Sequence, residues 1–154
     1  MYANDFWLHL IKEYQNQKPK HIILTTYGYY TAVRNWKYEH FPYYKMNPLQ
    51  KILYYIDKVH SHLIITPTND ITKELAASKR IFPNITYRIH PSNHAKIVLF
   101  VYEDKSIRIW QGSCNLTTSK HDYYHDSYSE VLDTTDLKRH LKLINSILDE
   151  SAIT

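Results

Sequence analysis

The sequence predicts an α/β fold, a mixed and mostly parallel β-sheet flanked by helices. Two observations carry this expectation. Short β-branched runs alternate with amphipathic stretches from Phe6 to His90, the order that brings successive strands parallel. Within those runs apolar residues fall on both parities, as in "HIILTT" (21–26) and "HLIITP" (62–67), which marks strands covered on both faces. No repeat, low-complexity segment or linker breaks the chain, so residues 1–154 are expected to form a single domain.

The elements follow in order. Phe6, Trp7, Leu10, Ile11 and Tyr14 recur at helical spacing, predicting a first helix that stops before Pro19. Residues 21–26 form the first strand, ending near Tyr27 and Gly28. The aromatic and polar stretch after it, with Pro42 inside, shows no period. In "NPLQKILYYIDK" (47–58) Asn47 supplies an N-cap and Pro48 suits the first turn. There Leu49, Ile52, Leu53 and Ile56 make one apolar face. Residues 62–67 are the second strand, "NDITKELAASKR" (69–80) a helix capped by Asn69 or Asp70, and "ITYRIH" (85–90) the third strand. Then "HAKIVLFVYEDKSIRIWQGS" (94–113) predicts a hairpin turning at Glu103-Asp104-Lys105-Ser106. "SYSEVL" (127–132) is a further strand, and Leu137, Leu141, Ile144 and Leu148 share one face of a last helix.

Composition narrows the function classes. At 44% hydrophobic and 22% charged residues the chain is globular rather than disordered. Apolar runs such as "IVLFV" (97–101) are too short to span a bilayer, and the first ten residues lack the pattern of a signal peptide. The one cysteine, Cys114, allows no intrachain disulfide and suits a reducing compartment. A soluble, cytoplasmic protein with no membrane partner is expected. The net charge of +4 leans weakly towards a polyanionic partner, because Lys and Arg are spread along the chain.

The chemistry gathers at the hairpin. His94 and Lys96 lie two apart on a strand and project from one face. A turn near Asp104 pairs positions summing to about 208, which brings Lys96 near Gly112 and His94 near Ser113 and Cys114. A lone His-x-Lys or a Gly-Ser after a strand is ordinary. Their convergence is not: imidazole attacks phosphorus, while Lys96, Ser113 and Asn115 hold the non-bridging oxygens of a phosphate ester. Gly112, one of two glycines, is expected to let the chain turn close to the anion. His121 and His125 have a spacing that suits zinc on a helix, but the flanking residues do not read as one, and no metal is expected.

These segments, "HAKIVLF…WQGSCNLT", resemble the signature of the phospholipase D superfamily: His-x-Lys-x4-Asp followed by Gly-Ser-x-Asn. "IILTTYGYY" resembles the early strand and turn of its small nuclease-like members, and "SEVL" the acidic segment after Gly-Ser-x-Asn. The likeness runs from about residue 21 to 132, and its specific part is 94–115. The resemblance implies a phospholipase D-like fold and phosphodiester cleavage through a covalent phosphohistidine, with no metal and no cofactor. It implies His94 as nucleophile, Lys96 as phosphate clamp, Ser113 and Asn115 as phosphate ligands, and Glu130 as the group orienting the imidazole. Asp126 lies close to Glu130 in sequence and suits the same work. One departure stands out: the motif's aspartate position holds Val101. Cys114, in the variable position, is read as a small buried residue.

The same resemblance implies a second chain. Phosphohistidine chemistry needs an acid for the leaving oxygen and then a base for water. The family supplies these with two facing His-x-Lys motifs, whereas this chain carries one, so a homodimer sharing its site across a two-fold axis is expected. Short one-motif members are mostly nucleases, which favours an endonuclease on DNA before RNA. Tyrosines clustered as "TYGYY", "FPYY" and "HDYYHDSY" suit base stacking, with Tyr29, Tyr30 and Tyr124 as candidates. The alternatives are a phospholipid hydrolase or transferase using the same residues, and a catalytically degenerate nucleic-acid binder.

Overall fold

The computed structural model describes residues 1–36, 41–118 and 127–154. Helix α1 (Ala3–Asn16) leads into β1 (His21–Tyr27) and the short β2 (Tyr29–Tyr30). Two 3-10 turns, Val33–Asn35 and Tyr43–Lys45, occupy the stretch that showed no period. Then come α2 (Pro48–Ile56), β3 (His60–Thr66), α3 (Thr72–Ile81) and β4 (Thr86–Ile89). The hairpin is β5 (Lys96–Val101) and β6 (Ile107–Gly112), followed by β7 (Leu116–Thr117), β8 (Tyr128–Val131), α4 (Thr134–Glu150) and β9 (Ala152–Ile153).

Seven strands form one sheet in the order β8-β6-β5-β1-β3-β4-β9, and β2 pairs with β7 in a separate small sheet. The main sheet is mixed and flanked by helices, as expected. Strands β1, β3, β4 and β6 run one way and the other three run the opposite way. Neighbours pair parallel at β1–β3 and β3–β4 and antiparallel elsewhere, so the parallel part is the βαβ centre read from the first 90 residues. The hairpin adds antiparallel strands because a five-residue connection, 102–106, reverses the chain.

Strand alternation sends side chains to two cores. Ile22, Leu24, Val98, Phe100 and Trp110 join α1, α2 and α3 on one face; Ile97, Leu99 and Ile109 meet α4 on the other. Phe6 of α1 stacks on Tyr128 of β8 at 4.2 Å between ring centroids, fixing the first helix against the sheet edge. Helix α2 starts where its sequence says: Asn47 accepts from the Gln50 backbone and Gln50 accepts from the Asn47 backbone, a reciprocal capping box. Before α3, Asp70 accepts from both the backbone and the hydroxyl of Thr72. Asp133 caps α4 by accepting from the Asp136 backbone. Among the described residues no helix is long and apolar enough to cross a membrane.

The hairpin register is the one expected. Lys96 lies opposite Gly112 and Val101 opposite Ile107, each pair summing to 208. Gly112 plays a different part from the one foreseen. It ends β6 without a positive φ, and a Cβ there would stand 2.2 Å from the Ser127 carbonyl oxygen. Its bareness admits the close approach of β8. Of the two glycines, it is Gly28 (φ +81°), at the end of β1, that takes a left-handed conformation.

Candidate active site

The two motif segments meet at the carboxyl end of β1, where open α/β sheets bind ligands. Consecutive threonines of β1, both buried, fasten them. Thr25 donates its hydroxyl to the Ala95 carbonyl at 2.8 Å and accepts from the Ile97 backbone at 3.1 Å. Asn93 holds Ala95 again, accepting from its N–H and donating to its C=O. The backbone flanking His94 is thereby pinned on both sides, while its side chain stays exposed. Thr26 accepts from the Leu116 backbone at 2.9 Å and donates to the Gly28 carbonyl, tying the Gly-Ser-x-Asn segment to the turn after β1.

Tyr27 joins the two halves. Its ring stacks on His94, with centroids 4.0 Å apart and planes 22° apart, and the Lys96 ammonium stands 5.7 Å from the same ring. Stacking limits imidazole rotation, and the ammonium beside it supplies fixed positive charge. Across the ladder, Ser113 continues the pairing: its N–H donates to the Ser127 carbonyl at 3.0 Å and its hydroxyl accepts from the Ser127 N–H at 3.2 Å. With its acceptor side engaged, that hydroxyl has its proton to offer an anion. Among the described residues the buried Oδ1 of Asn115 has no hydrogen-bond partner. Cys114 is fully buried, as read from sequence, and its carbonyl accepts from the Tyr128 hydroxyl at 2.6 Å.

Glu130 bonds partners outside this group. It lies opposite Trp110, and Arg108 donates to both its oxygens at 3.0 and 2.7 Å. Arg108 also bonds Glu13 of α1, so one guanidinium joins two carboxylates beneath the first helix. Glu130 first and Glu13 second hold the Arg108 pKa above its ordinary value. Among the described residues no hydrogen bond links Glu130 to His94. Asp126, His121, His125 and Tyr124 lie outside the described residues. Among the described residues no group of three His, Cys, Asp or Glu side chains is placed to hold a metal ion.

Val101 lies away from the site. It lies five residues along β5 from Lys96, about 17 Å at the rise of an extended strand, and packs with Ile23, Ile107 and Val131 on the opposite face. Tyr29 is core rather than a stacking platform: it is buried, its hydroxyl bonds Ser78, and burial pushes its pKa well up. Tyr30 remains half-buried at the mouth of a cavity beside the site. Sequence reasoning missed Thr25, Thr26, Tyr27 and Asn93. The available signal was a polar pair closing an otherwise apolar strand, which costs stability unless both hydroxyls are bonded.

Among solved structures the chain is similar to a polyphosphate kinase from Porphyromonas gingivalis (14% identity, TM-score 0.60). That match covers 97% of this chain and 22% of the kinase, so the chain spans about a fifth of it. It is also similar to NucT from Helicobacter pylori, at 11% identity and TM-score 0.60, over 100% of this chain and 96% of that one. A third likeness is TrmBL2, an archaeal chromatin protein with a novel mode of DNA binding, at 12% identity and TM-score 0.57 over 100% of this chain and 53% of that one. No protein-family model matches the sequence, and no curated protein matches it. The structural likenesses bear on architecture, and the chain has the phospholipase D-like fold that its motif residues implied.

Proposed function

We propose that this chain is a phosphodiesterase of nucleic acids, an endonuclease acting on DNA before RNA, that works through a phosphohistidine on His94. The observation that carries the reading is the pairing of Lys96 with Gly112, which sets His-x-Lys beside Gly-Ser-x-Asn at one mouth of the sheet. The exposed His94 imidazole attacks phosphorus, forming a P–N bond as the P–O bond to the leaving strand breaks. Lys96, Ser113 and Asn115 hold the non-bridging oxygens as charge gathers there. A second histidine protonates the leaving oxygen, then deprotonates the water that breaks the P–N bond. In this reading it is His94 of a second copy, so the working form is a homodimer. No metal takes part in these steps.

A DNA-binding role without turnover is the second reading, favoured by the likeness to a chromatin protein that binds DNA. One experiment separates them: cleavage of single- and double-stranded DNA and RNA in EDTA by wild type and His94→Ala. The expected result is cleavage in chelator that falls at least about 1,000-fold in the variant, with phosphate trapped on His94 of the wild type. Activity that vanishes in EDTA, or survives in His94→Ala, rejects the mechanism. Salt-dependent binding with no cleavage establishes the second reading instead.

A further inference from the structure

Beside the phosphate-holding residues lies a cavity of about 290 Å³, and its chemistry is the reverse of theirs. Tyr27 and Asn115 form its wall towards His94; Tyr30, Arg34, Asp70 and Glu74 line the rest. Glu74 is 2% exposed. Its Oε1 is fully engaged, accepting from the Thr31 N–H at 2.7 Å and the Thr31 hydroxyl at 2.8 Å. Its Oε2 is buried and has no hydrogen bond among the described residues; Arg34 Nε stands 4.0 Å away, which gives Coulomb attraction but no hydrogen bond. The Oδ1 of Asn115 is a second buried acceptor without a partner on the same cavity. Two unmet acceptors call for a ligand that brings N–H donors, because a buried acceptor left without a donor is destabilising.

We propose that this cavity receives one unstacked nucleobase next to the scissile phosphate and selects bases carrying an exocyclic amine over thymine and uracil. The inference rests on the nucleic-acid reading above. A nucleotide has the matching polarity: an anionic phosphate for His94 and Lys96, and a base edge for the acceptor-rich cavity. Acidic Glu74 and Asp70 disfavour a phosphate there. Adenine and cytosine offer both hydrogens of an amino group, and guanine adds a ring N–H beside its own. Thymine and uracil offer a single N–H flanked by two carbonyls, and those carbonyls would face the Glu74 carboxylate. The volume, near the lower end of the roughly 300–1,000 Å³ usual for ligand pockets, suits one base. Arg34, 5.2 Å above the Tyr30 ring, and Tyr30 itself border the entrance with flat surfaces for stacking.

The test reads binding apart from catalysis. Calorimetry with the four deoxynucleoside 5′-monophosphates should show dTMP bound about 10-fold more weakly than dAMP, dCMP and dGMP, within the range for one misread base edge. Sequencing the ends released from random oligonucleotides in EDTA should show thymine depleted by a similar factor at one fixed position beside the cut. In Glu74→Gln the amide retains an oxygen for Thr31 and turns a donor into the cavity, so the preference should shift towards thymine. Equal binding of the four monophosphates with unbiased ends overturns the proposal and leaves the phosphodiesterase reading standing. Biased binding without cleavage rejects the phosphodiesterase and keeps the base subsite. Should Glu74→Gln fail to fold, the wild-type panel alone decides. If the variant folds with the wild-type base ratio, Glu74 serves only Thr31 and Arg34, and the proposal falls.

Discussion

Glu130, named by resemblance, is held by its neighbours in the structure. The acidic segment "SEVL" lies on a strand beside the site, as read, yet its carboxylate is spent on Arg108 and through it on Glu13. These side chains are between one fifth and one third exposed, so their pairing sits between the surface and buried limits. Glu130→Gln should therefore cost about 1–2 kcal/mol of stability, seen as a lower urea midpoint. Trapping of phosphate on His94 should stay within about threefold of wild type. An orienting carboxylate would instead be worth about 100-fold or more, and a loss of that size would return Glu130 to the imidazole. The meeting of the segments that carry His94, Lys96, Ser113 and Asn115 was legible because their spacing along one hairpin sets the register. Tyr27 was not, because nothing in a single sequence says that β1 lies beside β5.

At the level of elements, the hairpin was the most readable unit. Its short connection lies between two apolar arms, and that fixes the register without help from the rest of the fold. The caps of α2 and α4 were equally local, since Asn47 and Asp133 bond groups three residues ahead. What escaped were β2, β7 and β9, two-residue strands that exist only because distant chain supplies a partner. The contact between β6 and β8 is of the same kind. Gly112 looked like a turn residue and proves to be a spacer between strands. Gly112→Ala would drive a methyl into the Ser127 carbonyl and the Tyr128 ring, which pushes β8 away from β6. The expected loss is about 1–3 kcal/mol, measured by chemical denaturation, with cleavage reduced because Ser113 shifts with its ladder partner. A stability equal to wild type would mean that β8 has room to move.

The whole molecule raises the question of how many copies make one site. The described residues put one His94 at the mouth, and the proposed chemistry requires two histidines per phosphodiester, one as nucleophile and one as acid and base. Co-refolding wild type with rising fractions of His94→Ala discriminates the possibilities. A site shared by two copies makes activity fall as the square of the wild-type fraction, because mixed dimers lack one histidine. A linear fall means that each chain acts alone. Sedimentation velocity should show a dimer over the same concentrations.

Adjacent threonines on β1 have a consequence for how the site comes into being. Thr25 holds the amide of Ile97 and Thr26 the amide of Leu116, so one peptide unit of one strand fastens both walls. Neither wall is a separate opening unit, and a chain with half a site ought not to be populated. Hydrogen exchange would register this as a shared protection free energy for the Ile97 and Leu116 amides, with both released in one cooperative event. If Leu116 exchanges well before Ile97, the walls open independently. An intact site, on this view, is a property the protein gains or loses all at once, with the docking of its first strand.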